Sequence, residues 1–170
     1  GVLLATSWAL RVPTDEVVRL RDTWMDLGDI SALLRGPNEK DPPSLLRGDD
    51  YFWPQLTGVV TRLGQAGARA HSGSASAERR DVDLALTVTT LAGELTRRTD
   101  DLGQELSETR QDHTIRFRTD DFGSDDPSWA RRLALASRTS ASIPGVFEAS
   151  YLPVDEPVAD RPAFGGRASF

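Results

Sequence analysis

The sequence predicts an α/β chain in which helices surround a small sheet. Three observations carry that expectation. Apolar residues recur every three or four positions over 13–35 and 126–143, the spacing of one helix face. They alternate residue by residue over 81–90 and again over 113–119, where β-branched side chains are frequent. Gly and Pro pairs punctuate these runs, as at Gly36-Pro37 and Pro144-Gly145.

The 170 residues suit one domain with a sizeable core. Apolar content is 38% and no apolar run reaches about 18 residues, so no membrane-spanning helix is expected. Net charge is −6, with acids and bases interleaved and Lys40 the only lysine. The absence of a basic stripe argues against nucleic acid as a partner and against strong attraction to anionic membranes. Zero cysteines exclude disulfides and thiolate metal sites.

Taken in order, Gly1 to Leu10 reads as a buried helix already under way, and no basic segment precedes it, which makes a poor signal peptide. Pro13 to Arg35 reads as one amphipathic helix with Val17, Leu20, Trp24, Leu27 and Leu34 inward. Gly28 makes a kink or break plausible there. Its other face carries Asp15, Asp22, Asp26 and Asp29, which suits core packing better than a membrane surface. Residues 38–50 form a turn-rich loop, with Asp49-Asp50 expected to cap the next helix. Pro54 opens that short helix with Leu56, Val59, Val60 and Leu63 inward, and Tyr51-Phe52-Trp53 belong to the core.

Residues 64–80 are small and polar and are expected to form a mobile loop. Within it, Ala70-His71-Ser72-Gly73-Ser74 is a near-miss to a nucleophile elbow, but no hydrophobic strand precedes it, so Ser72 is a poor nucleophile candidate. Residues 81–90 form a strand, Glu94 to Thr99 a second short one, Leu106 to Gln111 a loop, and His113 to Thr119 a further strand. Together they suggest a hairpin or meander at a sheet edge. Asp112-His113 could be written into a Ser–His–Asp triad, yet adjacency in sequence supplies no geometry, and a surface histidine at a strand start is the plainer reading. Two histidines without metal-ligand spacing make a weak metal set.

The stretch Asp126 to Phe147 organises the rest. Asp126 is suited to cap a helix and Pro127 to open it. Trp129, Leu133, Ala136 and Ser140 make one stripe, and the small residues Ala130, Ala134, Ser137 and Ala141 make a second. Arg131 and Arg138 are expected to point to water. Pro144-Gly145 ends the helix.

The run from Ala136 to Phe147 resembles the A-S-x-A-x-P-x-x-F segment of bacterial patatin-like phospholipases. Upstream, Asp83-Leu84, Thr89-Thr90-Leu91 and Gly93 are similar to the family's D-L-x-x-x-x-T-x-L-x-G strand. The resemblance implies a three-layer α/β/α fold, here partial, and lipid acyl hydrolysis by a Ser–Asp dyad without metal or organic cofactor. The family's G-x-S-x-G elbow would lie just before Gly1, and its D-G-[GA] motif beyond Phe170. At Phe164-Gly165-Gly166 the glycines are present, but phenylalanine stands in place of aspartate, and Asp155 and Asp160 are not followed by glycine.

The resulting expectation is an internal segment of a larger hydrolase, inactive alone, and cytoplasmic or peripheral at a membrane. Its contribution is the wall of the acyl pocket: Ser140, Ile143, Pro144, Gly145, Val146 and Phe147. Its partner is a lipid or other ester, and an exposed sheet edge could pair with a second copy. The alternative is a non-catalytic binding or scaffold module.

Overall fold

A computed structural model describes residues 1–71, 79–126, 128–143 and 145–150. Helix α1 (Val2–Ala9) is followed by α2 (Thr14–Val18), α3 (Leu20–Leu27) and α4 (Ile30–Leu33). A π-helical turn over Gly48–Phe52 leads into α5 (Trp53–Ala70). Strands β1 (Asp83–Thr99) and β2 (Glu105–Arg118) pair antiparallel, and α6 (Trp129–Ser140) comes after them. The chain thus mixes helices with an antiparallel sheet, which is two-stranded among the described residues.

Helix α5 is the centre of the packing. Leu56, Val59, Val60 and Leu63 are buried on it, and it meets α1, α3 and α6. It is longer than the sequence reading allowed. Residues 64–70, expected in a mobile loop, continue the helix because their glycines admit close neighbours. A Cβ on Gly64 would lie 2.8 Å from the Trp129 ring, and one on Gly67 would lie 2.6 Å from the Leu10 carbonyl oxygen. In α1, the buried Thr6 and Ser7 hydroxyls donate to the carbonyls of Val2 and Leu3, which removes the cost of burying them.

The single helix expected over 13–35 is three short ones. Asp29 starts α4 by accepting the Ser31 amide at 2.9 Å, and this cap resets the helical phase after Gly28. Leu20 and Leu27 are buried as expected, but Trp24 is 50% exposed, and Leu33 rather than Leu34 turns inward.

The hairpin has two unlike halves. Near the body, Val88, Ile115 and Phe117 are buried and Leu84 and Leu86 pack against the core. Between Thr89 and Glu94 the register shifts, with Gly93 at φ +63°. Beyond this bulge the ribbon runs into solvent, Leu95 pairing with Thr109 and Leu106 with Arg98. The segments expected as a separate strand and a loop are therefore one continuous ribbon, held by backbone pairing rather than burial. At its tip the Asp100 carboxylate accepts the amides of Leu102 and Gln104 at 2.9 and 2.8 Å. His113 sits half-buried opposite Val88 in mid-strand, not at a strand start.

Helix α6 begins at Trp129, later than the sequence suggested, although the Asp126 carboxylate still accepts the Ser128 amide at 2.8 Å. Pro127, the Ser72 elbow candidate, Asp155, Asp160 and Phe164-Gly165-Gly166 all lie outside the described residues.

Candidate functional site

The end of α6 and the chain just after it form one side of a cavity of about 380 Å³; the middle of the hairpin forms the other. Thr87, Val88, Thr89 and Asp112 face it from the strands. Ser140, Ser142, Gly145, Phe147 and Glu148 face it from the opposite side. The Ser140 hydroxyl ties the two sides together by donating to the Thr87 carbonyl at 2.8 Å. The turn after α6 is closed by the Ile143 carbonyl, which accepts the amides of Val146 and Phe147 at 3.0 and 3.1 Å, and Gly145 supplies the required positive φ of +81°.

Of the wall residues named from sequence, Ser140, Gly145 and Phe147 line this cavity. Val146 instead packs on the core, and its carbonyl accepts the Leu46 amide at 2.8 Å. Ile143 is 61% exposed and not among the lining residues. Pro144 lies outside the described residues. Phe147 is anchored against Phe52, ring centroids 6.0 Å apart at 46°.

Behind this wall is a charged cluster that the sequence reading missed. Arg138, expected to point to water, has a fully buried side chain. The reason is its place on the helix: it comes after Ala130 and Ala134 at four-residue steps, and both alanines are buried. That row is the signal that could have revealed it. The Arg138 Nη2 lies 3.1 Å from Asp49 and 3.5 Å from Glu148, and Nη1 donates to Ser150 and Ser142. Asp49 and Asp50, expected as helix caps, are ion-pair partners instead, Asp50 meeting Arg35 at 3.3 Å.

Glu148 is the hub. It accepts the Ser44 hydroxyl at 2.7 Å and the amides of Gly48 and Asp49, and it lies 3.6 Å from Arg35. Burial by itself would raise its pKa. The Asp49 amide, the Ser44 hydroxyl and the Gly48 amide overcome that and hold the carboxyl at about 2. Asp49 goes the other way: burial raises it, and the Arg138 charge only partly compensates.

A serine hydroxyl against a carboxylate invites a nucleophile–base reading for Ser44 and Glu148. Two facts oppose it: Ser44 is buried, and a carboxylate held near 2 is a poor general base. The cluster is an anchor for the cavity wall. Gly48 is built into it, since a Cβ there would lie 2.5 Å from Arg138 Nη2 and 2.9 Å from Nε. Gly48→Ala should therefore cost about 1–3 kcal/mol by displacing the guanidinium. Thermal unfolding checks this, and an unchanged Tm would mean the arginine is not held as described.

Among the described residues no cluster of three or more potential metal ligands occurs, and no helix is long and apolar enough to cross a membrane. The chain matches no family model and no solved structure. It is similar to Rv3479, an uncharacterized membrane protein of Mycobacterium tuberculosis, with 35% identity over 161 residues. That match covers 95% of the chain and 14% of the relative.

Proposed function

We propose that the chain is a segment of a patatin-like serine acyl hydrolase, supplying the wall of its acyl pocket and part of its three-layer fold. In such an enzyme a serine attacks the ester carbonyl, an aspartate takes the proton, and backbone amides hold the oxyanion. Those groups would come from elsewhere in a longer protein, and the similarity to 14% of a much longer relative is compatible with that. The observation that carries the reading is geometric: Ser140, Gly145 and Phe147, from the stretch that resembles the family, line an open cavity. The substrate is a lipid or other ester. The description of the relative as a membrane protein favours a place at a membrane surface over the free cytoplasm.

The test is turnover of p-nitrophenyl esters and phosphatidylcholine by the natural protein that carries this segment. Phe147→Ala should raise KM about tenfold, the loss of one apolar contact in a substrate pocket, with kcat changed less. Ser140→Ala should leave turnover within about tenfold, as suits a wall residue; a collapse of about a thousandfold or more would make Ser140 the nucleophile. No hydrolysis at all would favour the second reading, a non-catalytic binding module. That reading draws on the solvent-exposed outer ribbon, where Leu95 and Leu102 are 66% and 85% exposed.

A further inference from the structure

We infer that a second, smaller cavity, between the end of α1 and the end of α5, is a binding site for a phosphate-type anion, either free in solution or carried on a lipid. This cavity of about 180 Å³ is lined by Leu10, Arg11, Gly67, His71, Arg79 and Gly123 among others, and no carboxylate lines it among the described residues. In a chain of net charge −6, a cavity whose described lining holds two arginines and a histidine and no acid is a local reversal of sign.

The cations are placed by the fold. The Arg11 amide donates to the Trp8 carbonyl at 3.2 Å, and Arg11 adopts φ +49°, a costly conformation for a side chain other than glycine. That turn brings Arg11 to the cavity. Arg79 is held by donating to the Gly123 carbonyl at 2.9 Å. Neither arginine pairs with a carboxylate among the described residues, so no counter-ion there competes with a ligand.

His71 supplies an independent sign of a ligand. Its Nε2 is buried and has no hydrogen-bond partner among the described residues. Such a buried polar atom is costly unless something satisfies it. If His71 is protonated at Nε2, a turn of its ring toward the cavity would let that N–H donate to a phosphoryl oxygen, while the arginine side chains match the remaining oxygens. The volume holds a group the size of a few waters, as a phosphoryl group is.

Beside the cavity, Arg80 donates its amide to the Ala9 carbonyl at 3.3 Å and lays its guanidinium 4.1 Å from the centre of the Trp8 ring. Trp8 is 55% exposed. A cationic pocket beside an exposed indole suits a phosphate at a lipid surface as well as one in solution.

The experiment pairs titration calorimetry with inorganic phosphate and flotation with phosphatidylcholine vesicles, with and without phosphatidic acid. Arg11→Gln and His71→Asn are compared with the unaltered protein, their folding checked by circular dichroism. Binding to at least one probe is expected, weakened about tenfold or more by Arg11→Gln. Saturable phosphate binding identifies a soluble anion. Capture only by vesicles containing phosphatidic acid identifies a lipid-borne one. Failure of both probes, or binding that Arg11→Gln leaves unchanged, overturns the proposal. If His71→Asn does not fold, Arg11→Gln decides alone, because its side chain is exposed. Ester turnover is not read, so the result stands apart from the hydrolase proposal.

Discussion

Replacing Glu148 by Ala is expected to lower the stability of the fold by about 3–5 kcal/mol, read as a lower urea midpoint at neutral pH. The reason lies in what is left behind. Arg138 has a side chain 0% exposed, and without Glu148 its remaining carboxylate is Asp49, itself 42% exposed. A buried guanidinium with half its compensation removed costs far more than the pair contributed. Arg35 suffers less, since it keeps Glu39 at 2.9 Å and Asp50 at 3.3 Å. Glu148→Gln keeps an acceptor for only one of the Gly48 and Asp49 amides, which donate to different oxygens, so its loss should lie between zero and that of Glu148→Ala. A loss below about 1 kcal/mol for Glu148→Ala would show that the cluster does not hold the wall.

Acid lability is the second large effect. The folded state holds the Glu148 carboxyl at about 2, below its ordinary 4.5, so the fold favours the ionised form. Its contribution is therefore fully present above about pH 4.5 and is lost as pH falls toward 2, amounting to about 3 kcal/mol at most. Asp49 opposes this. Its raised carboxyl destabilises the fold when ionised, so its earlier protonation on acidification returns part of the loss. Urea midpoints measured across this range should fall steeply for the natural protein and much less for Glu148→Gln. Parallel curves would remove Glu148 as the cause.

The helices and the near half of the hairpin could be read from the sequence because burial imposes a period. Leu56, Val59, Val60 and Leu63 fall on one face of α5, and Val88 and Phe117 on one face of the ribbon. Where burial does not govern, the reading failed. Residues 105–111 are exposed on both faces and are strand through backbone pairing alone, so no alternation marks them. Residues 64–70 have a loop-like composition, yet their glycines serve contacts with Trp129 and Leu10 from distant parts of the chain. The phase slip at Asp29 turned Leu33 inward for a purely local reason, a side-chain cap.

A turn after α6 was expected and Ser140, Gly145 and Phe147 do line a cavity, but Ile143 faces solvent and Val146 the core. The Arg138–Glu148 cluster was missed because its members are far apart in the chain and each looks like an ordinary surface charge. A row of small buried residues ending in an arginine is the pattern to read differently: the last member of such a row shares its burial and must find a counter-charge.

The contacts of Glu148 also bear on the order of events when the chain folds. Its hydrogen bonds reach back 99 to 104 residues. Closing so long a span gives up chain entropy before any contact is gained, whereas the hairpin and the individual helices can form locally. The cavity between α6 and the hairpin thus takes its final shape only once both ends of that span have been brought together.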